Sequence, residues 1–208
     1  RAIQPMKGRS KAYDNLYPIT TFDEDLDLVA AHHKLSGEPA CIYPEAKSPA
    51  YHASLGLPDM ATAMLATLAK HGMDKKGAPV FIQSFEPDFV KKIQPMTELA
   101  VIMLVADRKG LDAAMAMPGA PFWDGLGPTY SMLVDPATGK STGIVEQAHA
   151  KGIKVHPWTF RDDQPVGEEP IETTMKKVLA TGVDGFFTDF SNTGYRVVNA
   201  VQLGAAAE

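Results

Sequence analysis

Four times along the chain a glycine stops an amphipathic stretch of helical period, and an apolar run of strand length follows within a few residues. Gly37 precedes Ala40 to Glu45, Gly72 precedes Pro79 to Phe85, Gly152 precedes Ile153 to Phe160, and Gly182 precedes Asp184 to Phe190. A glycine just past the last helical turn accepts left-handed backbone that other residues resist, so each one marks an exit. Helices and strands that alternate in this way build a parallel sheet covered by helices. Leu99 to Val105, a near-continuous apolar run, suits a parallel strand buried on both faces. Together with Asp124 to Pro128 it brings the expected strands to about six.

Between the strands, Thr21-Phe22-Asp23-Glu24 has the form of a capping box and opens a helix to about His33. Further helices are expected over Asp59 to Lys70, Pro87 to Ile93, Thr142 to Lys151, Pro170 to Gly182 and Thr193 to Leu203. Arg1 to Pro18 is polar and turn-rich, and the Met- and Pro-rich stretch before Asp124 reads as loose. A closed (β/α)8 barrel takes eight strands and about 250 residues. The pattern therefore predicts a single TIM-barrel domain over residues 1–208, N-terminally incomplete, with about six of eight βα units and the first two upstream of Arg1. An open doubly wound sheet is the other arrangement of such units, but no glycine-rich phosphate loop follows any strand.

Composition narrows the partners. With 45% hydrophobic and 22% charged residues the chain can bury one sizeable core. A net charge of -5, with Lys and Arg scattered singly, gives no basic footprint for nucleic acid. No apolar run approaches the roughly 18 residues of a membrane span, and no basic-then-apolar leader opens the chain. Cys41 is the single cysteine, which excludes an internal disulfide and a thiolate metal cluster.

In a parallel barrel the chemistry collects at the C-terminal ends of the strands. The polar and aromatic residues expected there are Glu45, Lys47, Gln83, Phe85, His156, Trp158, Thr188 and Asp189. Strand alternation puts Cys41, Tyr43, Glu45 and Lys47 on one face and Ile42, Pro44 and Ala46 on the other. Burying a carboxylate and an ammonium without partners is costly, so the pair belongs either to a solvated ion pair or to a site where a metal, a phosphate or water compensates it. His32, His33 and His71 fall at helix ends, His149 on a helix flank and His52 in the loop after Glu45. His156 shares a face with Trp158 one layer lower, as an interior or supporting hydrogen-bonding group.

Five ordered motifs connect these positions: Tyr-Pro-Glu-x-Lys at 43–47, Ile-Gln-Ser-Phe at 82–85, Gly-Leu-Gly-Pro at 125–128, Val-His-Pro-Trp-Thr-Phe-Arg at 155–161 and Gly-Phe-Phe-Thr-Asp-Phe at 185–190. In this order they resemble the glycerophosphodiester phosphodiesterases, in particular the periplasmic type. The resemblance implies a TIM barrel of the phospholipase-C-like phosphodiesterase type. It also implies hydrolysis of small glycerophosphodiesters to sn-glycerol 3-phosphate and an alcohol, and a periplasmic or secreted location. It implies one divalent cation, Ca2+ or Mg2+, on three carboxylates, of which Glu45 matches the third. Lys47 then faces the phosphate as an electrostatic catalyst, and Gln83, Phe85, Trp158 and His156 serve the substrate pocket. The family's other two metal carboxylates and its two catalytic histidines sit in an N-terminal segment with a His-Arg-Gly motif that has no counterpart here. The 208 residues alone are therefore expected to be inactive. Ala46 stands where a larger aliphatic residue is common, a change expected to affect packing more than chemistry.

Two other functions are open to the same residues. One is a catalytically silent relative that binds phosphodiesters or pairs with a partner chain. The other is a barrel lyase using Lys47 as a Schiff-base amine, against which the nearby Glu45 argues by raising the lysine pKa. Oligomeric state is open.

Overall fold

The computed structural model describes residues 9, 11–12, 15–38, 40–116, 123–165, 167 and 169–205. Helix α1 (Phe22–Ser36) begins with the capping box, Thr21 accepting from the Glu24 amide and Glu24 reaching back to the Thr21 amide, and ends at Gly37 with φ of 73°. Asp23, Glu24 and Asp25 occupy its first turn, where the helix dipole favours acids. A short helix not expected from sequence, α2 (Pro49–Ser54), leads to α3 (Met60–Lys70), capped by Asp59. Strand β1 (Phe81–Ser84) is followed by α4 (Pro87–Ile93), β2 (Ala100–Val105), α5 (Arg108–Met115) and β3 (Gly125–Pro128). Then come α6 (Ile144–His149), β4 (Lys154–Val155), α7 (Ile171–Leu179) and α8 (Ser191–Ala205).

All pairings between these strands are parallel, in the order β1-β2-β3-β4. Isolated parallel bridges extend the order on both sides, Ile42 to Val80 and Glu45 to Gln83 before β1, and Phe160 to Thr188 after β4. The expected first and last strands are thus corrected to segments joined by isolated bridges, two for the first and one for the last. Pro44 has no amide to donate, and a strand that meets one neighbour at isolated points never builds a ladder. Ile153 to Phe160 is likewise shorter than expected, a two-residue strand plus a bridge from Trp158 to Thr129. The loose stretch before Asp124 contains α5, whose Asp107 cap and buried Leu111 and Ala114 are a thin helical signal beside Gly110.

Side chains alternate across the sheet as period two requires. Val101, Met103 and Val105 join Ile42, Ala46, Ile82, Leu126 and Val155 in the layer under the helices. On the opposite, interior side, Tyr43 stacks on Phe81 at 5.1 Å and meets the Phe187 ring edge-on at 4.7 Å. Five flat strand spacings would hold the first and last segments about 24 Å apart. Their contact shows that the sheet curls around its own interior side chains. No bridge joins 42–45 to 187–189 among the described residues, so the curl is open there. Gly125 and Gly127 make room for it: a Cβ on them would lie 2.4 Å from Ile102 Cδ1 and 2.5 Å from Leu104 Cδ2. No helix among the described residues is long and apolar enough to cross a membrane.

Candidate active site

The segment carrying Glu45 is stitched to β1 by its even-numbered residues. The Ile42 amide donates to Pro79 O at 2.8 Å, the Gln83 amide to Pro44 O at 3.0 Å and the Ala46 amide to Gln83 O at 2.9 Å. Ile42 and Ala46 are thereby buried under the helices, and Tyr43 and Glu45 are turned to the interior. Ser84 Oγ donates to Ala46 O and Glu86 accepts from the Ala50 amide, which fixes the loop beyond Lys47.

At the C-terminal ends of the strands the interior opens into a cavity of about 270 Å³. Glu45, Lys47, Gln83, Phe85, Leu104, Trp158, Thr159, Arg161 and Phe187 line it. Lys47 Nζ stands 3.9 Å from Glu45 Oε2, with the lysine side chain 79% exposed and the glutamate 22%. The ammonium is therefore hydrated at the mouth, and the carboxylate sits deeper. Gln83 is buried, and its Oε1 has no hydrogen-bond partner among the described residues. Trp158 Nε1 donates to Gly127 O at 2.7 Å, and the indole meets Phe85 edge-on at 5.4 Å. This pair forms the aromatic wall.

Of the expected site residues, Glu45, Lys47, Gln83, Phe85 and Trp158 are brought together on one cavity. His156 is placed below it, buried, with Nδ1 2.8 Å from the Tyr43 hydroxyl and its ring near Phe81. Burial lowers the His156 pKa, so it stays a neutral interior imidazole. Burial also raises the Tyr43 phenol well above its ordinary value. Asp189 turns away to the rim, and Thr188 Oγ1 donates to Phe160 O. None of the other histidines lines the cavity: His32 and His33 are exposed, His52 lies half-buried in helix α2 and not in a loop, His71 Nε2 lies 2.8 Å from Asp23, and His149 Nε2 lies 2.9 Å from Asp184.

Leu104, Thr159, Arg161 and Phe187 are the cavity residues that the sequence did not single out, and Arg161 is the charged one among them. Strict alternation from Trp158 turns Phe160 inward and Arg161 outward. In the fold the alternation breaks after Trp158, so Thr159 and Arg161 line the cavity and Phe160 packs under the helices, stacked on Tyr130 at 4.4 Å. The motif at 155–161 already contained the arginine, and only the register hid it.

A hard cation takes several oxygen ligands. Among the described residues no three His, Cys, Asp or Glu side chains gather into such a set. Glu45 is the one carboxylate on the cavity, with the unpartnered Gln83 amide oxygen on the adjacent strand. The described residues fit such an ion only in part.

A glycerophosphodiester phosphodiesterase of Haemophilus influenzae is 29% identical over 93% of this chain. The Arabidopsis thaliana glycerophosphodiester phosphodiesterase GDPD6 is 26% identical over 92%. The chain spans 64% and 59% of the length of these relatives. Solved structures from Silicibacter pomeroyi and Agrobacterium tumefaciens, both provisionally named glycerophosphoryl diester phosphodiesterases, superpose with TM-scores of 0.65 and 0.61 at 19% and 18% identity. They cover 87% and 88% of this chain, which spans 56% and 65% of theirs, and at these identities the likeness speaks to the fold alone. The model of the glycerophosphoryl diester phosphodiesterase family matches residues 4–193, nearly the whole length, and this chain belongs to that family.

Proposed function

We propose that the cavity serves the hydrolysis of small glycerophosphodiesters to sn-glycerol 3-phosphate and an alcohol, with a divalent cation, Ca2+ or Mg2+, required. The observation that carries this reading is the placement of Lys47 at the mouth and Glu45 deeper in an aromatic-walled cavity at the strand ends of a chain of this family. Lys47 offers a hydrated, mobile ammonium that can follow the charge growing on the phosphate oxygens. Glu45 would give the cation one carboxylate, and the cation would neutralise phosphate charge. Phe85 and Trp158 would shield the bound diester from water, and Gln83 would present its amide to the substrate. A periplasmic or secreted location belongs to the same reading and is supported by the sequence resemblance.

None of the six histidines lines the cavity, so the histidine acid–base pair that the family resemblance implies is not supplied by the described lining. The 208 residues alone are then expected to bind glycerol 3-phosphate without turning the diester over. That same observation favours a second reading, a silent relative that binds phosphodiesters without chemistry.

The test is glycerophosphocholine hydrolysis by the protein isolated from its natural source, with and without EDTA, beside its Glu45→Gln variant. Release of glycerol 3-phosphate, abolished by chelation and reduced at least about a hundred-fold in the variant, is the expected result. Binding without release by the folded, metal-supplied protein would establish the silent relative instead.

A further inference from the structure

A phosphodiester carries one negative charge and its monoester product close to two, so any cationic side chain on the cavity besides Lys47 is placed to share the phosphate oxygens. The cavity holds a second cation. Arg161 lines it, and its side chain is 31% exposed against 79% for Lys47, so its charge is less screened by water.

The guanidinium is held from behind. Arg161 Nε donates to Asp189 Oδ2 at 2.7 Å, and the same oxygen accepts from Arg9 Nη2 at 2.9 Å. Arg9 also donates through Nε to Asp163 Oδ2 at 2.7 Å, and its Cζ lies 5.3 Å from the centre of the Phe190 ring. Arg9 is thus fixed by two aspartates and an aromatic face. Asp189 is shared between two guanidinium groups, so it does not cancel the whole charge of Arg161. The contact at Nε takes one of the five N–H donors of an arginine and fixes the plane of the others. Partial burial pushes the Asp189 carboxyl up, but the hydrogen bonds from Arg161 and Arg9 outweigh it and leave the group below its ordinary value. Asp189 is therefore a carboxylate throughout the neutral range.

We propose that Arg161 is a second anion-binding residue of this cavity, taking the substrate phosphate opposite Lys47, and that Asp189, clamped by Arg9, is its positioning residue. The proposal rests on the phosphodiesterase reading of the same cavity. It adds a named contact that the reading does not require.

The test is calorimetric binding of sn-glycerol 3-phosphate, with glycerol as the uncharged control, to the protein from its natural source and to its Arg161→Gln, Arg161→Lys and Asp189→Asn variants. Circular dichroism and melting temperature verify that each is folded, and KM and kcat for glycerophosphocholine are measured in parallel. Arg161→Gln should weaken glycerol 3-phosphate roughly ten-fold or more and raise KM more than it lowers kcat, because a charge-assisted hydrogen bond to the phosphate is lost. Arg161→Lys should recover part of the affinity, since the charge returns without the fork. Asp189→Asn should fall between wild type and Arg161→Gln. Affinity and KM of a folded Arg161→Gln within two-fold of wild type would overturn the proposal and leave the phosphodiesterase reading standing. Arg161-dependent binding by a protein that never hydrolyses the diester would support the anion site and remove the phosphodiesterase reading.

Discussion

Tyr43 and His156 meet below the cavity, where each aromatic ring fills the interior and each polar atom answers the other at 2.8 Å. The sequence showed that both side chains face inward, because period two fixes that. It could not show that they bond, because they are 113 residues apart and the bond depends on the curl of the sheet. The buried imidazole has a pH consequence. Its pKa is lowered by burial from the ordinary 6.5, so below that pH the unfolded chain binds a proton that the folded chain refuses. Stability from this site is present above pH 6.5 and is lost as pH falls from there toward the lowered value. Urea unfolding at pH 7.0 and 5.5 should show wild type losing more stability than a His156→Gln variant over that interval. Equal losses would mean that His156 titrates normally and is not held neutral.

At the scale of elements, the sheet uses one device twice. Asp124 and Asp184 each stand just before a glycine at the start of a strand or bridged segment, and each accepts the amide of the neighbouring strand, from Val101 at 2.8 Å and from Val155 at 2.9 Å. In the sequence both aspartates stood only as the first residues of expected strands; their role as strand-start acceptors needs the parallel neighbour and could not be read locally. Asp184 also takes Lys154 Nζ at 2.7 Å and His149 Nε2 at 2.9 Å. Burial raises its pKa, but the hydrogen bonds from Lys154, the Val155 amide and His149 overcome this and bring it down to about 2. The sign follows: the stabilisation is complete above the ordinary carboxyl value of 3.8 and fades as pH falls toward about 2. Asp184→Asn is expected to cost about 1–2 kcal/mol at pH 7, by chemical denaturation, because charge-assisted hydrogen bonds are replaced by neutral ones. The difference between variant and wild type should shrink steadily below pH 4. A cost unchanged in acid would show that the carboxylate charge is not what holds the strand start.

At the scale of the molecule, the order of parallel segments and the helices between them were legible because each unit carries its own punctuation. A curled sheet was expected from the count of units and the family resemblance, but the contacts that make it, between segments 42–45 and 187–189 at opposite ends of the strand order, were not legible. The N-terminal stretch shows the same limit. It reads as polar and unanchored, yet Arg9 reaches Asp163 and Asp189, 154 and 180 residues away, at the rim where the last segment ends. These pairs are partly exposed, with Arg9 at 31%, Asp163 at 20% and Asp189 at 29%, so each alone contributes little. The shared geometry makes a network, and its loss is expected to lower the melting temperature of an Arg9→Met variant by about 2–4 °C. The charge part should be screened in about 1 M salt, where the Debye length falls to about 3 Å, and the contact with the Phe190 ring would be replaced by methionine packing. Melting of wild type and Arg9→Met at low and high salt therefore separates the two contributions. A difference that closes with salt places the tether in the ion pairs, and one that persists places it in the stacking on Phe190, which would leave Asp189 to be held by Arg161 alone.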